Sequence, residues 1–210
     1  MSKDIKVMLK EAGAILIITL IAGLLLGFVY QLTKEPREYQ EQLAINKACN
    51  EVMPEGKEFK EIEYSLSAET LQKLSENGIT VGTVYESYDA SGAFCGYVVE
   101  STSSQGYNGD IVLYLGIDPS ESPAHLLGVS ILKISETPGL GMRAGEVLVP
   151  QFKDKSALSF IYTKSGAVSD NEIDAISGAT ITTKAFTGAV NGALEAAAEI
   201  YSNAVSEGRF

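Results

Sequence analysis

Asp174-Ala175-Ile176-Ser177-Gly178-Ala179-Thr180-Ile181-Thr182-Thr183 puts small and hydroxylated residues immediately ahead of a long run of helix formers. From Thr182 to about Asn203 the residues Phe186, Val190, Leu194, Ala197 and Ile200 recur on one helical stripe, so this segment predicts an amphipathic helix that needs an apolar surface to cover. Upstream, short β-branched and aromatic runs at 58–66, 79–88, 93–101, 110–117 and 126–134 alternate with Gly, Asn, Ser and Pro, the pattern of a sheet. A short helix is expected from Ala68 to Glu76. Asp89-Ala90-Ser91-Gly92 has the composition of a hairpin connection, which makes part of the sheet antiparallel. The expected fold is α+β: a twisted, mainly antiparallel sheet with helices packed on it.

Working outward to the amino terminus, Ala12 to Tyr30 contains no charge. As a helix those residues span ~28 Å, close to the hydrocarbon thickness of a bilayer. The run ends Phe28-Val29-Tyr30-Gln31 rather than in a small-x-small cleavage site, so an uncleaved anchor is expected. Lys3, Lys6 and Lys10 outweigh Asp4 and Glu11 before the span, while Lys34, Glu35, Arg37 and Glu38 balance after it. That bias keeps the amino terminus cytoplasmic and puts the globular part on the outer face. Gly23 and Gly27 form a small-xxx-small step, open to either a helix interface or ordinary membrane-helix composition. The expected organisation is a cytoplasmic segment 1–11, a transmembrane helix 12–30, a polar linker helix 31–56 closed by Met53-Pro54-Glu55-Gly56, and a globular domain 57–210.

A net charge of −11 over 210 residues excludes a nucleic-acid partner, since no basic surface exists to neutralise phosphates. Two cysteines and one histidine leave no ligand set for an iron–sulfur cluster or structural zinc, so redox chemistry here would need an organic cofactor. Cys49 and Cys95 are expected as free, buried thiols, although their spacing leaves a disulfide open. His125 opens a strand and reads as structural. The start of the helix after Ala179 can hold a phosphate: its amides point outward, the dipole favours an anion, Gly178 and Ala179 permit close approach, and Ser177, Thr180, Thr182 and Thr183 supply hydroxyls. On the residues alone, ordinary Ser or Thr capping is the competing reading.

The pattern Asp-x-x-Ser-Gly-Ala-Thr at 174–180 resembles the flavinylation signature of FMN-binding domains in two related ion-pumping complexes, and all seven positions fit. Ser135-Glu136-Thr137-Pro138-Gly139-Leu140-Gly141 resembles a second segment of that family, with a Pro-Gly step suited to a type II turn. With the anchor, the resemblance runs over the whole chain. It is strongest to the G-subunit family of the Rnf ferredoxin:NAD oxidoreductase complexes; the relative is the C-subunit family of the Na+-pumping NADH:quinone reductase. The resemblance implies FMN joined covalently, through a phosphoester made by a flavin transferase from FAD, to Thr180. It also implies a bacterial or archaeal cell membrane and partner subunits that couple ferredoxin oxidation and NAD reduction to Na+ or H+ movement. It further implies Ser177, Gly178, Ala179, Thr182 and Thr183 around the phosphate, and Asp174 as a recognition residue for the transferase. Glu136, Thr137, Leu140 and Gly141 would line the flavin ring, with Tyr107 of Gly106-Tyr107-Asn108-Gly109 approaching it. Lys164 would sit near the ring's electron-rich edge, where a cation stabilises reduced flavin; an exposed surface lysine is the plain alternative. No catalytic acid or base and no metal is expected. The competing functional classes are an anchored, noncovalent flavin sensor and an assembly subunit without cofactor.

Overall fold

The computed structural model describes residues Lys3–Arg209; Met1, Ser2 and Phe210 lie outside the described residues, as do the side chains of Lys3, Asp4, Lys6 and Glu38. The charge bias expected at Lys3, Asp4, Lys6 and Glu38 thus falls outside what is described. The chain divides into two compact units, Met1–Ala44 and Ile45–Phe210.

Helix α1 runs from Lys3 to Val52 without interruption, with Pro36 inside it. The expected span and linker are therefore one helical element. Its apolar stretch is long enough to cross a membrane, and its side chains from Ala14 to Tyr30 are exposed. Exposure of this much Leu and Ile to water would be costly, whereas in a bilayer each helical backbone group is already satisfied.

In the second unit, strands β1 (Glu58–Ile62), β2 (Ile79–Tyr88), β3 (Phe94–Ser103), β4 (Ile111–Asp118), β5 (His125–Lys133) and β6 (Lys155–Ser156) form a six-stranded sheet in sequential order. Every neighbouring pair is antiparallel. Helix α2 (Ala68–Glu76) bridges β1 and β2, its start capped by the Ser67 hydroxyl accepting from Thr70 N. The hairpin at Asp89 closes as expected, with the Asp89 carboxylate accepting from the amides of Ser91 and Ala93. Between β5 and β6 the chain makes two 3-10 turns and the short helix α3 (Ala144–Val147). A parallel pair, β7 (Ile161–Thr163) with β8 (Glu172–Asp174), has no counterpart among the expected runs; three residues per strand is too short for a periodic signal. His125 opens β5, its ring bracketed by Asp154 and Ser156.

Helix α4 (Thr180–Ser206) covers one face of the sheet. The expected stripe is the buried one: Phe186, Val190, Leu194, Ala197 and Ile200 lie in the core with Val99, Leu113, Leu115 and Ile117. Alanines at 189, 193 and 196 let the helix approach closely, and the Ser101 hydroxyl donates to the Ala189 carbonyl at 2.8 Å. Phe152 packs between Phe160 and Phe186, with ring centroids 5.1 and 5.6 Å away.

The last turns of α1 cover part of the opposite face, where Ala48, Cys49, Val52 and Met53 pack with Val98 and Tyr114. The seat depends on Gly116, because a Cβ there would overlap the Val52 carbonyl. Cys49 and Cys95 are both free; Cys49 is buried and Cys95 only partly so, a correction to the expected pair of buried thiols. Cys95 lies next to the exposed Asp89–Gly92 turn, which leaves its side wet. Burial pushes the Cys49 thiol up to about 11, so at neutral pH it holds almost no thiolate. Gly116→Ala should lift this seat, costing about 1–3 kcal/mol as overpacking does. The check is thiol labelling of the full chain in detergent: Cys49 should become reactive in the variant, with Cys95 labelling alike in both.

Candidate functional site

Strand β8 brings the chain to Asp174, and Ala175 N donates to the Thr163 carbonyl at 2.8 Å, prolonging the contact with β7. The chain then reverses. Ala179 N donates to the Ile176 carbonyl at 3.0 Å, and Gly178 has φ +78°. A bonded turn with positive φ only at its third residue is type II, which calls for glycine there.

Helix α4 begins directly afterwards. Its N-cap is Ala179, no side chain caps it, and its first turn has no acidic residue. The amides of Thr180, Ile181 and Thr182 have no intrahelical acceptor by the geometry of a helix start. The Thr or Ser capping that competes in the sequence is therefore not used at this terminus. The Thr183 hydroxyl is engaged elsewhere. It donates to the Ala179 carbonyl at 2.9 Å and accepts from Ile176 N at 3.1 Å, tying the turn to the helix. Thr180 is half-buried, Thr182 buried and Ser177 exposed.

The Pro138-Gly139 step forms the expected type II turn, with Leu140 N donating to the Thr137 carbonyl at 3.1 Å and Gly139 at φ +77°. The two glycine turns meet. A Cβ on Gly178 would lie 3.1 Å from Leu140 Cδ2, and one on Gly141 would lie 2.6 Å from Thr182 Oγ1 and 2.7 Å from Glu136 Cβ. A third segment joins them: Tyr107 N donates to Glu136 Oε1 at 2.8 Å, and Asn108 Nδ2 donates to the Ser135 carbonyl at 2.9 Å. Glu136, only 5% exposed, is the link between the two loops.

The structure thus gathers Tyr107, Glu136, Thr137, Leu140 and Gly141 around the residues that start α4. Asp174 ends β8, and Lys164 opens the loop that joins β7 to β8. The Asp174 carboxylate accepts from Ala167 N at 2.7 Å and its backbone amide donates to Gln151 Oε1 at 2.7 Å, so this residue holds the loop's shape. Lys164 is exposed on that same loop, just past Thr163.

Four large apolar side chains on the converging segments remain exposed: Tyr107 at 68%, Leu140 at 41%, Met142 at 44% and Ile181 at 52%. Met142 and Ile181 carry no signal in the sequence; hydrophobicity at those positions reads as core until the backbone shows which way it faces. A groove of about 730 Å³ beside α4 is lined by Lys73 of α2, Asn77 just past it, Leu158, Ile161 and Lys184, among others. None of the cofactor-site residues marked in the sequence lines it.

Uncapped amides and hydroxyls beside exposed apolar carbon fit a ligand that joins a phosphate to a flat, weakly polar ring system, as FMN does. The FMN-binding domain family matches residues 106–195, a range that contains all three converging segments. The chain is similar to the G subunit of the Na(+)-translocating ferredoxin:NAD(+) oxidoreductase complex from Acetobacterium woodii, at 30% identity over 95% of this chain and 94% of that protein. It is likewise similar to the G subunit of the ion-translocating oxidoreductase complex from Methanosarcina acetivorans, at 30% identity over 91% and 95% of the two chains. Among solved structures it resembles Shewanella oneidensis NqrC, with a TM-score of 0.48 at 21% identity, over 59% of this chain and 61% of that one.

Nothing lies within 4 Å of a Cβ built at Gly139, so substitution there is opposed by backbone strain alone. Gly139→Ala should destabilise the flavin-free chain by about 1–2 kcal/mol, the cost of a left-handed L residue, and Gly139→Val by more, because a β-branched side chain resists positive φ further. Urea unfolding checks this. No loss in either variant would show that this turn leaves the left-handed conformation at no cost.

Proposed function

The chain belongs to the G-subunit family of ion-translocating oxidoreductase complexes, and from that premise we propose that it carries FMN as a phosphoester on Thr180 and relays electrons between cofactors of neighbouring subunits. The observation that carries this reading is the start of α4, where an uncapped, acid-free helix terminus coincides with the first hydroxyl of the helix, on Thr180. A helix start of this kind favours an anion, and its positive pole is offset by neither a capping side chain nor an acid in the first turn.

During maturation the Thr180 oxygen forms a bond to the FMN-side phosphorus of FAD. The pyrophosphate bond breaks, AMP departs, and the hydroxyl proton is given up. A flavin transferase performs this transfer, and the exposed Asp174 with its loop is the feature it recognises. Ser177, Gly178, Ala179 and Thr182 surround the phosphate. Thr183 contributes by holding the turn, since its hydroxyl is already engaged at both ends. Tyr107, Glu136, Thr137, Leu140 and Gly141 line the ring, with Met142 and Ile181 adding apolar surface, and Lys164 stands near the ring's edge. FMN, when bound, supplies one- and two-electron transfer. The chain's own residues bind and orient it, and the tether prevents its loss.

In the complex, this chain takes part in coupling ferredoxin oxidation and NAD reduction to ion movement. Relatives are named for both Na+ and proton translocation, so the ion stays open. The amino terminus lies in the cytoplasm and the flavin domain on the outer face, in line with the lysines at 3, 6 and 10. Protease added to intact spheroplasts should therefore digest the domain after Tyr30; digestion only after lysis would invert the topology.

Attachment is tested by co-production with a flavin transferase, fluorescence in denaturing gels and peptide mass mapping. Thr180→Val should abolish covalent flavin. Thr182→Val should retain it. Thr183→Val should also retain it, but with a loss of about 1–3 kcal/mol in stability, because the buried Ile176 amide loses its acceptor. Flavin persisting in Thr180→Val, or mapping to another residue, would overturn the assignment.

A further inference from the structure

Resting on the reading of Thr180 as the attachment point, we propose that Lys184 is the cation that neutralises the phosphoester on Thr180 and holds the phosphate over the helix start. In an α-helix the residue four places on is turned by only ~40° and lies ~6 Å along the axis, so Lys184 shares the face of Thr180. Helical side chains lean toward the N-terminus, so the lysine stem reaches back over the turn that Thr180 begins. An anion preceding a lysine by four residues is also the more favourable order of such a pair.

The charges around it favour the same assignment. Lys184 is exposed and, among the described residues, engages in no ion pair or hydrogen bond. Glu195, the acid that shares its groove, lies three turns farther along α4 and is paired with Lys73 at 2.6 Å. Arg143, the other basic residue beside the converging turns, has Glu146 at 3.9 Å. Without phosphate, α4 presents free amides, no acid in its first turn and a lysine in its second, which places like charge beside the positive end of the dipole. One bound anion relieves all of these at once. Lys184 is thus a positioning residue for the phosphate, a role separate from that of Lys164 at the ring.

The test uses the full chain made with and without flavin transferase, as wild type, Lys184→Gln and Lys184→Arg. The readout is the rise in Tm on flavinylation, measured for each variant against its own flavin-free form. Wild type and Lys184→Arg should show the rise, and it should shrink as salt is raised. Lys184→Gln should lose most of the rise and its salt dependence, while its flavin-free Tm is no lower than that of wild type, because the like charge beside the helix start is gone. Its initial rate of flavinylation should fall about threefold to tenfold, the scale of one charge-assisted contact. Equal rises in wild type and Lys184→Gln would overturn this inference and leave Thr180 attachment standing. So would a loss confined to the flavin-free Tm. A wild-type chain that accepts no flavin from the transferase would overturn both readings.

Discussion

Seating α4 on the sheet is the contact on which the rest of the domain depends. Its 27 residues bury an aromatic and aliphatic stripe against β2, β3 and β4, and its alanines bring the backbone close enough for Ser101 to reach the Ala189 carbonyl. At ~25 cal/mol per Å² of apolar surface, the buried Phe186, Val190, Leu194 and Ile200 alone represent several kcal/mol, which conformational entropy then largely offsets. Once the helix is seated, its first residue has a fixed position. Thr180 is then presented by a rigid element rather than a loop, as the attachment proposed for it would require.

The site follows from that position together with two glycine turns. Gly139 and Gly178 each occupy a left-handed conformation, and the segments they turn touch through Leu140 and Thr182. Glu136 ties in the Tyr107 loop through a backbone amide. A buried carboxylate is tolerated in such a place when it is hydrogen-bonded, and its removal would leave the Tyr107 amide without its acceptor. The three loops therefore support one another, and their common surface keeps apolar side chains in solvent that an unliganded domain has no reason to expose. Electrostatics completes the arrangement. The chain is acidic as a whole, yet the start of α4 has no acid in its first turn.

Much of the architecture is legible in the residues. The strands and α2 fall within a few residues of the runs that predict them, because alternation and punctuation report directly on which side chains face the core. The Asp89 hairpin and the Pro138-Gly139 turn are readable because their residues have few conformational alternatives. The stripe on α4 is readable because its length averages out local exceptions. By contrast, β7 and β8 are too short to show a period, and their partner choice depends on contacts brought in from α4 and Gln151. The continuity of α1 through the expected linker boundary is likewise hidden, since Pro36 usually signals an end and here does not.

By itself the sequence determined the charge-free span, the positions of the main strands along the chain, the Asp89 and Pro138-Gly139 turns and the hydroxyl-rich start of the last helix, because each is a local property of spacing and residue type. Only the tertiary structure decided which hydroxyl is engaged and which is free. Thr180, Thr182 and Thr183 look alike in the chain, but the Ile176–Ala179 turn folds back so that Thr183 bonds it at both ends. It also decided that Glu136 clamps the Tyr107 loop and that Met142 and Ile181 face outward, because burial and partnership are set by segments distant in sequence that meet only when α4 is docked.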